Sequence, residues 1–199
     1  MTIAARAIHR IQPPLNSIRR LMSMRIVLRV NAATRASARC RYISILREME
    51  LQAAIFDTSR PVTQLHWGGG TPTFMSQEQM RLLMAETRRL FHLVEDDGGE
   101  FSIEIDPREA QGNTIQLLRE LGFNRMSLGV QDFDSQVQKA VNRVQSEAET
   151  MTVLEAARRA GFRSISIDLI YGLPFQNVAN FADTLEKVIA VSPDRISVF

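Results

Sequence analysis

Apolar residues recur along this chain with two periods, and the periods take turns. Phe101, Ile103 and Ile105 alternate with Ser102, Glu104 and Asp106, the period of a half-buried strand. Val62 to Trp67 is a short apolar run ending in three glycines, which predicts a strand and its loop. Arg125 to Val130, Ser164 to Ile170 and Ile196 to Phe199 predict three more strands. Between them the spacing lengthens to three and four. Ile45, Met49, Leu51 and Ile55 have close to helical spacing within Tyr42 to Phe56, and Met80, Leu83, Met84, Thr87 and Leu90 share a helical face. Ile115, Leu118 and Leu121 predict a third helix, and Phe181, Leu185, Val188 and Ile189 a later one that Pro193 ends.

Boundary signals support these elements. Ser76-Gln77-Glu78-Gln79 and Ser146-Glu147-Ala148-Glu149 are capping boxes, and Gly122 and Gly161 are placed as left-handed helix ends. Pro107 stops the strand before it. A weak repeat is present: Leu121-Gly122-Phe123-Asn124-Arg125 enters one strand and Ala160-Gly161-Phe162-Arg163-Ser164 enters another. The glycines lie one strand–helix unit apart. The alternation predicts an α/β fold, a parallel sheet with helices packed outside. About five strands are visible, too few for a closed eight-stranded barrel.

Composition narrows the class. The 199 residues are 45% hydrophobic and 23% charged, enough for one domain with a real core. No apolar run approaches the roughly 20 residues that span a bilayer, so no membrane partner is expected. A single cysteine excludes an internal disulfide framework, and a reducing cytoplasm is the expected compartment. The net charge of +2 conceals an asymmetry, because ten arginines, nine of them within residues 1–41, precede the first acidic residue, Glu48. A basic arm of this kind suits nucleic acid, an anionic surface or an organellar transit peptide. The absence of lysine and of a recognisable motif argues against these partners. The reading adopted is that residues 1–41 are a disordered or out-of-frame arm with no stable fold, and that residues 42–199 are the core.

The candidate chemistry sits at strand ends, where parallel α/β folds place their functional groups. Gly68-Gly69-Gly70 lets a backbone approach a ligand closely, although loops also use glycines for turns alone. Glu104 faces away from Phe101, Ile103 and Ile105; it is either a solvated strand-end charge or a paired inward one. Gln131 ends a strand with an amide that both donates and accepts. Asp168 lies in the apolar run Ile165, Ile167, Leu169 and Ile170, where an acid needs a partner such as Arg143, or a ligand. Arg143, in Val141-Asn142-Arg143 within a helical stretch, is otherwise an ordinary surface arginine.

Five ordered motifs carry a resemblance that no one of them would. They are Leu65-His66-Trp67-Gly68-Gly69-Gly70-Thr71-Pro72-Thr73, Ile103-Glu104-Ile105-Asp106-Pro107-Arg108-Glu109, Leu128-Gly129-Val130-Gln131-Asp132-Phe133, Asp168-Leu169-Ile170-Tyr171-Gly172-Leu173-Pro174 and Pro193-Asp194-Arg195-Ile196-Ser197-Val198-Phe199. From about Tyr42 to Phe199 the chain resembles the oxygen-independent coproporphyrinogen III oxidases of the radical S-adenosylmethionine (SAM) superfamily. The resemblance implies a partial parallel (β/α) barrel, with coproporphyrinogen III as substrate and SAM and a [4Fe–4S] cluster as cofactors. In that family the cluster passes an electron to SAM, and the resulting 5′-deoxyadenosyl radical takes hydrogen from two propionates, which lose CO₂ and become vinyl groups. Matched position by position, Gly69 and Glu104 would hold the cleaved SAM. Gly70, Thr71, Gln131, Arg143 and Asp168 would contact a second SAM or the adjoining substrate region.

The resemblance also has a gap. The family's C-x-x-x-C-x-x-C loop has no counterpart, and Cys40 alone implies no metal site and no catalytic residue. The expectation is an oxidase lineage in truncated and inactive form. The alternative is a non-catalytic SAM-binding relative, or one like the related haem chaperones. Those tend to read N-P-G and Q-S-F where this chain has Asp106-Pro107-Arg108 and Gln131-Asp132-Phe133. The family is typically monomeric, whereas open sheet edges predict that this chain aggregates or needs a partner chain.

Overall fold

The computed structural model describes the backbone of residues 24–29, 35–110 and 113–199, and their side chains except those of 29 and 35–41. Strands and helices alternate in chain order: β1 (Met24–Arg29), α1 (Arg35–Ala53), β2 (Val62–Gly68), α2 (Gln77–Leu90), β3 (Glu100–Ile105), α3 (Thr114–Glu120), β4 (Arg125–Gln131), α4 (Ser135–Ala140), α5 (Glu147–Ala160), β5 (Ser164–Leu169), α6 (Val178–Ala190) and β6 (Arg195–Val198). Single 3₁₀ turns at Pro72–Phe74 and Pro107–Glu109 follow β2 and β3. The sheet order is β1-β2-β3-β4-β5-β6, so each strand neighbours the next in sequence. The pairs β1–β2, β4–β5 and β5–β6 are parallel, as a helix between successive strands requires. Two compact units divide the chain, Met1–Ser102 and Ile103–Phe199, with β3 straddling the division.

Two sequence expectations are corrected. There are six strands, not five, and β1 lies inside the stretch read as an arm without a stable fold. Its segment, Met-Arg-Ile-Val-Leu-Arg, has the alternation of a strand, and Leu28 is buried. The arginine-rich composition around it obscured that period. Helix α1 likewise begins at Arg35, ahead of Tyr42. Residues 1–23 and 30–34 lie outside the described residues.

In the first unit, Val62, Leu65 and Trp67 of β2 are fully buried, as are Met80, Leu83, Met84 and Thr87 of α2. Helix α2 starts at the expected capping box: Ser76 Oγ accepts from Gln79 N, and Gln79 Oε1 accepts from Ser76 N. In the second unit the core comprises Ile103 and Ile105, Met126, Leu128 and Val130, and Ile165, Ile167 and Leu169 from three strands, with Leu117 and Leu118 of α3 and Val153 and Leu154 of α5. The sequence repeat is a structural repeat. Phe123 N donates to Leu118 O at 3.1 Å, and Phe162 N donates to Ala157 O at 3.1 Å. Each bond closes a Schellman-type helix end over a left-handed glycine, Gly122 at φ 101° and Gly161 at φ 82°. The phenylalanine after each glycine is buried, which fixes the angle at which the following strand enters the sheet.

Candidate active site

Strand alternation builds the site in the second unit. In β3, β4 and β5 every second residue is fully buried, and the residues between are half-buried. The half-buried row contains Glu104 on β3, Ser127, Gly129 and Gln131 on β4, and Ser166 and Asp168 on β5. Glu104 and Asp168 are the last such residues of their strands, and Gln131 is the last residue of β4. One half-buried face therefore carries polar groups while the opposite face is apolar core.

The register of β4 and β5 sets the contacts. Gly129 pairs with Asp168, and a bulge at Val130 brings Gln131 opposite Leu169. Asp168 Oδ2 accepts from Ser127 Oγ, and Oδ1 from Ser166 Oγ at 3.5 Å. Its carboxylate is thus met by two serines of the same row, not by Arg143 as the sequence reading allowed. Gln131 has φ 68°, an uncommon conformation for a residue with a side chain. Asp132 N donates across it to Val130 O at 2.9 Å, closing a three-residue turn.

Arg143 is placed in a turn after α4, not in a helix, and Asn142 before it has φ 53°. The turn aims the guanidinium at β4. Arg143 Nη2 donates to Gly129 O at 2.9 Å and lies 3.2 Å from Asp106 Oδ2. Asp106, only 6% exposed, also accepts from Arg108 N at 3.1 Å, Arg108 Nε at 3.0 Å and Arg108 Nη2 at 2.6 Å. Burial disfavours the Asp106 charge, but the hydrogen bonds from Arg108 and the charge of Arg143 outweigh it and hold this carboxyl below the usual range. For Arg143, burial lowers the pKa from the ordinary arginine value, Asp106 opposes that, and Arg108 adds to it. Arg143 Nε is buried without a hydrogen-bond partner. A Cβ added at Gly129 would lie 3.0 Å from both Arg143 Nη2 and Gln131 Nε2. The bare α-carbon of Gly129 therefore leaves room for two polar side chains to converge on the strand.

In the first unit the glycine run follows β2 directly. Gly69 and Gly70 have φ 81° and φ 158°, and both are exposed. Neither backbone conformation suits an ordinary side chain. Thr71 is half-buried and makes no side-chain cap to the 3₁₀ turn that follows.

Sequence reasoning missed several residues that shape the second unit's site. Asp106, Arg108 and Asp132 stood inside quoted motifs with no role assigned. Gln138, Gln145 and Gln176 carried no signal, because a glutamine in a loop or short helix reads as surface whether it is buried, like the first two, or half-buried, like Gln176. All three glutamines bond to main-chain groups close to the strand ends.

This fold and strand-end chemistry belong to one class. A family model for the radical SAM superfamily matches residues 33–188, and the chain belongs to that superfamily. Within it the chain is homologous to oxygen-independent coproporphyrinogen III oxidases. It is 57% identical over 155 residues to the enzyme of Pseudomonas aeruginosa, covering 78% of this chain and 34% of that one. It is 49% identical over 156 residues to the enzyme of Synechocystis, covering 78% and 33%. The solved coproporphyrinogen III oxidase of Escherichia coli, a radical SAM enzyme, superposes with a TM-score of 0.78 at 45% identity, covering 84% of this chain and 38% of that one. An archaeal Elp3 from Methanocaldococcus infernus shares the fold alone, with a TM-score of 0.61 at 17% identity. The chain spans about a third of the length of the curated relatives it matches. No helix among the described residues is long and apolar enough to cross a membrane.

The [4Fe–4S] cluster implied by the superfamily does not fit the donors present. Such a cluster needs cysteine thiolates, and this chain has one cysteine, Cys40, in the backbone of α1. Among the described residues no group of three or more His, Cys, Asp or Glu side chains is gathered to hold a metal ion.

Proposed function

We propose that this chain is an oxygen-independent coproporphyrinogen III oxidase core that retains contacts for SAM but, as it stands, does not carry out the oxidative decarboxylation of coproporphyrinogen III to protoporphyrinogen IX. The observation that supports SAM binding is the convergence at Gly129. Arg143 Nη2 and Gln131 Nε2 converge on its α-carbon, and Asp168 pairs with it on the neighbouring strand. A guanidinium and an amide NH₂ so placed suit a carboxylate. By family resemblance, Gly69 and Glu104 would contact the cleaved SAM, and Gly70, Thr71, Gln131, Arg143 and Asp168 a second SAM or the adjoining substrate. When bound, SAM supplies a ligand whose sulfonium can be reduced. The chain's own groups orient its carboxylate and ammonium ends.

The haem-chaperone reading is less well supported. Asp106 and Asp132 stand where those relatives tend to carry Asn and Ser, and here both carboxylates accept several hydrogen bonds at once. A cytoplasmic setting is proposed with the lineage.

Anaerobic reconstitution with iron and sulfide tests the inactive reading. The expected result is far fewer than the roughly four irons per chain of a [4Fe–4S] centre, and no decarboxylation of coproporphyrinogen III. Full iron loading with turnover would overturn it.

A further inference from the structure

Asp132 is 1% exposed and every polar group it carries is engaged. Its Oδ1 accepts from Asp134 N at 2.7 Å and from Thr184 Oγ1 at 2.8 Å, and its Oδ2 accepts from Gln176 Nε2. Its N–H closes the turn over Gln131, and its carbonyl accepts from Gln138 Nε2 at 2.9 Å. Gln138 Oε1 accepts from Gln145 N at 3.2 Å, and Gln145 Nε2 returns to Val130 O at 3.1 Å. Both residues flanking Gln131 are thus tied down, and Gln131 is the one left in a left-handed conformation.

The same carboxylate reaches the loop after β5. Gln176 Nε2 also donates to Ile170 O at 2.9 Å, while its Oε1 accepts from Gly172 N at 2.6 Å and Leu173 N at 3.3 Å. Ile170 N donates to Gln131 O at 3.0 Å. A buried carboxylate is tolerated only where donors satisfy it, and the three here come from Asp134, Gln176 and Thr184, on separate segments. Strained backbone held by surrounding structure is commonest where ligands are gripped.

We propose that Asp132 is a positioning residue. It fixes Gln131 in its strained turn and, through Gln176, fixes the loop Ile170–Gln176 beside it, so that the ligand-facing end of β4 and the loop after β5 are preorganised as one edge. The proposal rests on the reading of Gln131 as a SAM contact, and deepens it.

The hydrogen-bond polarity makes it testable. In Asp132→Asn an amide NH₂ replaces one carboxylate oxygen. Asp134 N still requires an acceptor at Oδ1, so the NH₂ faces Gln176 Nε2 and donor meets donor. Turning the Gln176 amide over then points its NH₂ at the Gly172 and Leu173 N–H groups. The loop is released either way. Adding Gln176→Glu restores an acceptor toward both the new amide at position 132 and the two loop N–H groups, although Ile170 O loses its donor and faces a carboxylate oxygen.

The experiment measures amide hydrogen exchange in the purified full chain, together with S-adenosylhomocysteine affinity by calorimetry. In Asp132→Asn, exchange at Gly172 and Leu173 is expected to quicken about tenfold, the weight of roughly one net hydrogen bond. Cores such as α5 and β5 should be unchanged. S-adenosylhomocysteine affinity should fall by a similar factor, no further loss should follow when Gln131→Ala is added, and the Asp132→Asn/Gln176→Glu pair should recover most of both. Gln176→Leu severs the loop arm alone and serves if Asp132→Asn folds poorly; it should quicken the same two amides. Unchanged exchange at these amides, a uniform loss of protection throughout the unit, or no recovery in the paired variant would overturn the proposal. If the wild type binds no S-adenosylhomocysteine, the SAM-contact reading fails, and the positioning role is then decided by the exchange pattern and its recovery.

Discussion

Gly129→Ala is expected to destabilise the chain, although replacing a strand glycine by alanine ordinarily helps. The ordinary gain is about 0.5–1 kcal/mol, from reduced freedom of the unfolded chain and better strand propensity. Here the new methyl would sit 3.0 Å from Arg143 Nη2 and 3.0 Å from Gln131 Nε2, tighter than ordinary van der Waals contact. Both must yield; Gln131 Nε2, the far end of a flexible side chain, moves easily, whereas Arg143 Nη2 is held by its partners. Nη2 is the nitrogen that donates to Gly129 O and faces Asp106 Oδ2, so displacing it weakens a charge-assisted hydrogen bond worth about 1.5–3 kcal/mol. The expected net loss is about 1–2 kcal/mol, read as a fall of roughly 2–8 °C in melting temperature for a chain of this size. The assay is a double-mutant cycle by thermal or urea unfolding. In an Arg143→Ala background the clash with Nη2 is gone, and Gly129→Ala should be neutral or stabilising. Equal effects of Gly129→Ala in both backgrounds would refute the claim that Arg143 is packed on the bare α-carbon of Gly129.

Three further outcomes are expected. Asp106→Asn should lose about 2 kcal/mol in urea unfolding, because it leaves two arginines facing each other across a buried site, discounted for their partial exposure. The pH dependence has a definite sign: the folded Asp106 pKa lies below its unfolded value, so its contribution is complete above about pH 4 and is lost as pH falls through the lower folded value, a slope that Asp106→Asn should remove. Ser146→Ala should cost about 1 kcal/mol by deleting the capping box of α5, and Gly161→Ala a further 1 kcal/mol or so because its φ of 82° is left-handed; melting curves that leave either value unmoved would contradict those assignments.

Much of the fold was legible because local signals agreed with the final structure. The capping boxes at Ser76 and Ser146, the glycines at 122 and 161, and the alternation of Phe101 to Ile105 each encode a boundary or a face through short-range physics. What failed was non-local. β1 is a strand because β2 offers it a parallel edge, and its flanking arginines hid the period. Arg143 read as helical because Val137 to Arg143 lacks a breaker, yet Asn142 adopts φ 53° and ends the helix without a glycine or proline. The wrong partner for Asp168 has the same origin. Which cation meets which carboxylate depends on register, and the register of β4 on β5 gives Asp168 to Ser127 while the turn after α4 gives Arg143 to Asp106. The strand-end positions of Glu104, Gln131 and Asp168 were readable from alternation alone. The buried glutamine and aspartate network around Asp132 was not, since nothing in composition separates a buried glutamine from an exposed one.

The central claim is that this chain keeps SAM contacts without the thiolates that would reduce SAM. The most direct measurement is equilibrium binding of SAM to the metal-free full chain by isothermal titration calorimetry, repeated with Glu104→Ala and Arg143→Ala. Saturable binding that weakens at least about tenfold in either variant, a difference of about 1.4 kcal/mol, is the expected result. No heat of binding at millimolar SAM, or binding that neither variant alters, would contradict the claim.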